Sequence, residues 1–268
     1  MQLPTIKTLF LASLVFTASA HAELPPDYKV VLLTSNFPPF NLSADGKNFA
    51  RDEAIQGIGA DTVREAFKRA GIAYSMTLRF PWERLYQQAL LQPDHGLFST
   101  TITDARRDQF KWVGPIAHYD SVLLAAPGSG ITLDSLDQAR QYRIGGYKDG
   151  GTSEYLEAQG IAHLDALHDE ANLRKLLNGD IDLWATADAA WRHYAEQDGV
   201  EGLKPVLRFH TSPLYLALNK ATPDEVVERL QAAMDQIIDE GYAGCAKTPD
   251  LCYLIRDRKA LAASQPLN

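Results

Sequence analysis

The stretch Ser121-Val122-Leu123-Leu124-Ala125-Ala126 is a short apolar run that stops at Pro127-Gly128-Ser129-Gly130. An apolar run bounded by turn residues reads as a buried strand, and the abrupt change of composition marks a candidate domain boundary. Strands and helices alternate before it, and the alternation restarts after it. A second apolar run, residues 214–218, closes the second set. Two runs that bracket a strand–helix set predict an α/β architecture of two lobes, one inserted into the other. Each lobe is then a mostly parallel sheet flanked by helices, and the two runs cross between them.

Working outward, residues 29–35 form an apolar strand that must turn at Asn36-Phe37-Pro38-Pro39, because two prolines cannot continue a central strand. Ile58 to Ala70 reads as a helix with Val63, Phe67 and Ala70 on one face and Gly71 past its end. Tyr74, Met76, Leu78 and Phe80 alternate with polar residues, the period of a strand. Trp82, Leu85, Tyr86, Ala89 and Leu90 recur at helical spacing. Residues 96–100, 142–145 and 182–186 read as further strands. Gly150-Gly151-Thr152-Ser153 opens one helix, Asp169 caps a second, and Thr222-Pro223-Asp224-Glu225 starts a third as N-cap, first-turn proline and capping-box acid.

At 268 residues, the chain holds one large domain or two small ones. Apolar residues make up 46%, enough for a sizeable core and too many for a disordered chain. Asp and Glu outnumber Lys and Arg by 34 to 26, so the basic footprint of a nucleic-acid binder is missing. Residues 1–22 carry Lys7, an apolar stretch from Leu9 to Ala18, and Ala20-His21-Ala22. This predicts a cleavable secretory signal peptide, export to the periplasm, and a product not embedded in a membrane. An exported compartment permits a disulfide between Cys245 and Cys252, worth about 2.5 kcal/mol for so short a loop. The other reading of the pair, a metal or redox site, lacks CxxC spacing and a neighbouring His.

Sequence signatures of nucleophilic, zinc-hydrolase or phosphate-loop chemistry are missing, and the scattered His residues form no i,i+4 pair. No metal or cofactor is expected. Three clusters remain. Phe37 and Phe40 sit on the turn after the first strand, where open α/β sheets bind ligands, or they are buried loop aromatics. Ser99, Thr101, Thr103 and Arg106 follow a strand end and suit a carboxylate, which an arginine fork can grip; they also fit a capped helix start beside a surface arginine. Gly150-Gly151-Thr152-Ser153 offers backbone N–H groups at a helix start, an anion site or an ordinary cap.

Taken in order, these pieces resemble the family 3 periplasmic solute-binding proteins, the polar amino-acid binders that serve ABC importers. The resemblance runs through Phe37-Pro38-Pro39-Phe40, Gly57-Ile58-Gly59-Ala60-Asp61, Ser99-Thr100-Thr101-Ile102-Thr103-Asp104-Ala105-Arg106 and Tyr147-Lys148-Asp149-Gly150-Gly151-Thr152-Ser153, and it covers essentially the whole chain after the leader. The Phe80-Pro81-Trp82-Glu83-Arg84 stretch is similar to a divergent branch. The resemblance implies the type II two-lobed binding-protein fold, with lobe I at residues 23–121 plus 217–268 and lobe II at 122–216. It implies a monomer without catalytic residues that captures a small polar solute and delivers it to an inner-membrane ABC permease. Arg106, Thr101 and Ser99 would hold the solute's carboxylate, joined by Gly151 and Thr152 from lobe II, while Phe37 and Trp82 would form aromatic walls. The family's ammonium-binding acid aligns near Ala187, so Asp188, one residue on, takes that role, and Thr34 stands where many relatives carry an acid. Two other functions share this fold. One is an exported enzyme like cyclohexadienyl dehydratase, for which Asp188 is the one cleft acid the sequence offers. The other is a sensor subunit that presents ligand to a membrane receptor.

Overall fold

The computed structural model describes residues 24–241 and residue 254. The expected leader and both cysteines, Cys245 and Cys252, lie outside the described residues. Strand β1 (Lys29–Thr34) stops where the prolines begin, and three two-residue strands follow in the connection: β2 (Leu42–Ser43), β3 (Ala50–Arg51) and β4 (Ile55–Gln56). Helix α1 (Ile58–Ala70) ends on Gly71 in the left-handed conformation, φ 62°, whose N–H returns to Lys68 and Phe67 carbonyls. Then come β5 (Ala73–Leu78), α2 (Trp82–Leu91), β6 (His95–Thr100) and the long β7 (Phe110–Ala125). The inserted set is β8 (Ile144–Tyr147), α3 (Gly151–Ala158), β9 (Leu164–Ala166), α4 (Ala171–Asn178), β10 (Leu183–Ala187) and α5 (Asp188–Gln197). The equally long β11 (Lys204–Asn219) returns to the first lobe, and α6 (Asp224–Asp239) follows.

The strand order is β3-β5-β1-β6-β11-β7-β10-β8-β9. In lobe I, β1 lies parallel to both β5 and β6; in lobe II, β8 lies parallel to β9 and β10. The antiparallel pair β7–β11 joins them and runs the full width of the molecule, from Asn219 opposite Phe110 to Lys204 opposite Ala125. Each lobe is covered on both faces. In lobe I, α1 and α6 bury Val63, Phe67, Leu230 and Met234 against one face, and α2 buries Leu85 and Ala89 against the other. In lobe II, Leu173, Leu176 and Trp184 form one core, and Leu123, Ile144 and Leu156 the other. A strand covered on both faces reads as a continuous apolar run rather than an alternating one, which is the pattern of residues 121–126.

The structure departs from the sequence reading in two places. The two crossing runs are halves of 16-residue strands. The rest of each strand contains Gly114-Pro115 or Pro205 and Pro213, which break the apolar pattern of a strand. At Gly114 the pairing shifts register, and Gln231 of α6 replaces the missing sheet partner. Its Nε2 donates to the Gly114 carbonyl at 2.9 Å, and its Oε1 accepts the Gly114 N–H at 3.0 Å. Tyr215 of β11 pairs with Thr100 of β6. Finally, Thr222 and Asp169 do not cap helices. Pro223 and Glu170 occupy those positions, and the Asp169 carboxylate turns away toward β10.

Candidate functional site

The C-terminal ends of the parallel strands in both lobes face one another across a cleft, the place where open α/β sheets gather ligand-binding groups. Free space of about 100 Å³ remains between them. From lobe I, the wall is made by the end of β1 with its following turn (Thr34 to Phe37), the start of α2, and the end of β6. From lobe II, it is made by the β8–α3 connection, the β9–α4 turn and the end of β10. Phe37, Trp82, Ser99, Thr101, Arg106, Gly151 and Thr152 all line it.

Arg106 is the junction of the two lobes. Its side chain is only 4% exposed, and its guanidinium lies 5.8 Å from the Trp82 ring centre and 5.5 Å from that of Tyr86. Nη1 donates to Thr100 Oγ1 at 3.0 Å. Nη2 reaches across to lobe II, donating to the Asp149 carbonyl at 2.8 Å and to the Glu154 carboxylate. Glu154 belongs to the first turn of α3, whose leading N–H groups have no intrahelical acceptor. The carboxylate that Arg106 grips therefore belongs to the protein itself. Nothing in the sequence singles out Glu154, because an acid in the first turn of a helix is ordinary.

Around this junction the Ser99, Thr101 and Ser153 hydroxyls and the second Glu154 oxygen are buried without hydrogen-bond partners. Such groups cost stability unless something satisfies them, so they are free to serve a bound solute. Thr152 is anchored instead, its hydroxyl 3.0 Å from that of Ser121 on β7. Gly151 permits the approach of α3 to lobe I: a Cβ there would collide with Thr101 Oγ1 and come within 2.8 Å of the Tyr119 hydroxyl. Phe37 packs edge-on against Tyr119 at 5.5 Å and tilted against Phe40 at 4.8 Å; Phe40 itself is fully buried in the lobe I core. Phe80 of lobe I stacks on His168 of lobe II at 4.3 Å. Tyr147, at the lobe II wall, has its hydroxyl pushed up to about 12 by burial, with a hydrogen bond to Ser35 of lobe I acting the other way.

The two acids behave unlike the sequence reading. Asp188 does not line the cleft. It is 6% exposed and accepts from Trp191 Nε1 and Arg192 Nη2 at 3.0 Å each and from Arg208 Nη2 at 3.2 Å. Two guanidiniums already balance its charge, and Arg208 ties α5 to β11. Asp169, read as a helix cap, lines the cleft and is held by Trp184 and Thr186. Its local sequence, an acid before an apolar-periodic helix, is indistinguishable from a cap, and only the fold turns it inward.

The sequence matches no protein-family model and no curated protein. Solved structures do match it. The arginine-, lysine-, histidine-binding protein ArtJ from Geobacillus stearothermophilus superposes with a TM-score of 0.67 at 22% identity, over 80% of this chain and 90% of that one. A histidine kinase sensor domain with similarity to periplasmic binding proteins gives 0.69 at 16% identity, over 88% and 96%. The substrate binding protein of an amino acid ABC transporter gives 0.66 at 17% identity, over 82% and 98%. Among the described residues no helix is long and apolar enough to cross a membrane. At these identities the likeness is one of fold, and the chain has the two-lobed α/β fold of the periplasmic binding proteins.

Proposed function

We propose that the chain is a periplasmic solute-binding protein that captures a small polar solute, an amino acid or related carboxylate, between its lobes and delivers it to an ABC-type importer. The observation that carries this reading is the convergence at Arg106. A buried guanidinium from lobe I meets the N-terminus of α3 from lobe II, with uncommitted hydroxyls around them. The solute's carboxylate competes with Glu154 for that guanidinium, helped by Ser99, Thr101 and Gly151. Phe37 and Trp82 pack on the rest of the solute. Lobe II hinges on β7 and β11, and binding draws the lobes together so that the permease reads the closed form.

A thermal-shift screen tests this on exported protein refolded free of ligand, against amino acids, amines and small carboxylates. A true ligand at about 100 times its Kd raises the melting temperature by about 5–11 °C. No shift with any of these classes overturns the proposal. One second reading has its own support. The fold likeness extends to a histidine kinase sensor domain, which favours a subunit that presents its solute to a membrane receptor. Loss of solute uptake on gene deletion selects transport; intact uptake with a lost transcriptional response selects sensing.

A further inference from the structure

Asp169 sits in the turn between β9 and α4, on the lobe II wall of the cleft. Its Oδ1 accepts from Trp184 Nε1 at 2.8 Å and its Oδ2 from Thr186 Oγ1 at 2.5 Å. Both of these donors stand on β10, and the Asn172 side chain of α4 adds a third hydrogen bond. A carboxylate offers about four acceptor positions, and these donors leave some of them open. The charge is also uncompensated. Asp188 has Arg192 and Arg208, Asp120 has Arg208, and Asp182 has Arg143. No lysine or arginine among the described residues lies within ion-pair distance of Asp169. Burial raises its pKa to about 6, with Glu170 adding to the rise and Thr186 and Trp184 opposing it, so at neutral pH it is mostly ionised.

The surroundings name the kind of counter-charge. Tyr147, Tyr194 and the stacked Phe80–His168 pair line the cleft with Asp169. Aromatic faces beside a carboxylate suit an organic cation, which gains from both. They do not suit a metal ion, and no cluster of three metal-ligating side chains forms among the described residues.

We infer that Asp169 anchors a cation subsite in the cleft, and that the solute carries a side-chain amine or guanidinium charge in addition to any α-ammonium. The inference rests on reading the cleft as a solute site. This positive group is distinct from the α-ammonium that the sequence reading gave to Asp188, and Asp169 stands on a different element of lobe II.

The test is calorimetry with two matched pairs of probes, L-lysine against L-norleucine and L-arginine against its neutral isostere L-citrulline. The wild type should bind a cation at least about 30-fold more tightly than its isostere, the scale of a desolvated charge pair. Asp169→Asn keeps an acceptor for Trp184 and should abolish that preference while retaining the wild-type circular dichroism spectrum. A pH series on the wild type needs no variant. The groups facing Asp169 are Glu170 and His168 from its own turn, Tyr147 from the end of β8 and Tyr194 from α5, while Arg79 and Asp149 also line the cleft. Cation affinity should fall as pH drops through about 6, and isostere affinity should not. Isosteres that bind as tightly as the cations, or a preference that survives in Asp169→Asn, overturns the cation subsite and leaves solute capture standing. Binding of no probe at all overturns both.

Discussion

At the scale of single residues, Glu154 and Asp169 do opposite things with a carboxylate. Glu154 spends its charge on Arg106, and in the proposed function it occupies the place of the solute's carboxylate. Glu154→Gln keeps the shape and removes the competing charge. Affinity for a carboxylate-bearing solute should then rise about ten- to hundredfold, the worth of a hydrogen bond to a charged group. Weaker binding in titrations of Glu154→Gln would show that Glu154 holds the solute or the lobes instead. Asp169 leaves a signature on stability. Its carboxyl has a reference pKa of 3.8 and is raised to about 6 in the folded protein, so between those values the folded state keeps a proton the unfolded chain has released. Its contribution is therefore present at low pH and lost as pH rises through about 6. Asp169→Asn does not titrate. In urea melts without ligand, its stability relative to wild type should improve from pH 4 to pH 7, and a constant difference would contradict the raised pKa. Neither acid was legible as a cleft residue, because each occupies a position beside a helix start where acids are common.

At the scale of elements, α3 carries the contact of lobe II with Arg106 and Thr101 of lobe I. Its N-terminus meets Thr101 and Tyr119 of lobe I only because residue 151 lacks a Cβ. Gly151→Ala forces either Thr101 or the helix to withdraw, and the helix carries Glu154 away from Arg106 with it. The variant should fold, since alanine is the better helix former, yet it should bind solute at least about tenfold more weakly and show a larger radius of gyration with solute present. Unchanged affinity in Gly151→Ala would mean that α3 does not close on lobe I. The elements that position this contact were largely readable. Strand ends, proline stops and glycine caps punctuate the sequence where they punctuate the chain, as at Thr34 before Pro38-Pro39 and at Gly71 after α1. What escaped was the length of β7 and β11. Local pattern cannot show that Gln231, more than a hundred residues away, takes over the bonds a broken register leaves open at Gly114.

At the scale of the whole molecule, the two lobes are joined by one pair of crossing strands and meet again at Arg106, the Phe80–His168 stack and the Gly151 contact. Ala187, Ala189 and Ala190 of lobe II also pack into the lobe I core. Under the proposed function, a solute that touches both walls favours a closed arrangement by its differential affinity for it. In the proposed function, Arg106 is where such a solute is held. The direct measurement is calorimetric titration of the refolded protein and of Arg106→Ala with the solute that gives the largest thermal shift. The account predicts one solute per chain for the wild type and a loss of about 30-fold to several-thousand-fold in Arg106→Ala, with no rescue by Arg106→Lys, because an ammonium cannot make the forked contact. Titration of the Arg106→Ala/Glu154→Gln pair separates binding from stability, since removing Arg106 alone strands the Glu154 charge. Wild-type affinity in a folded Arg106→Ala protein would contradict the account.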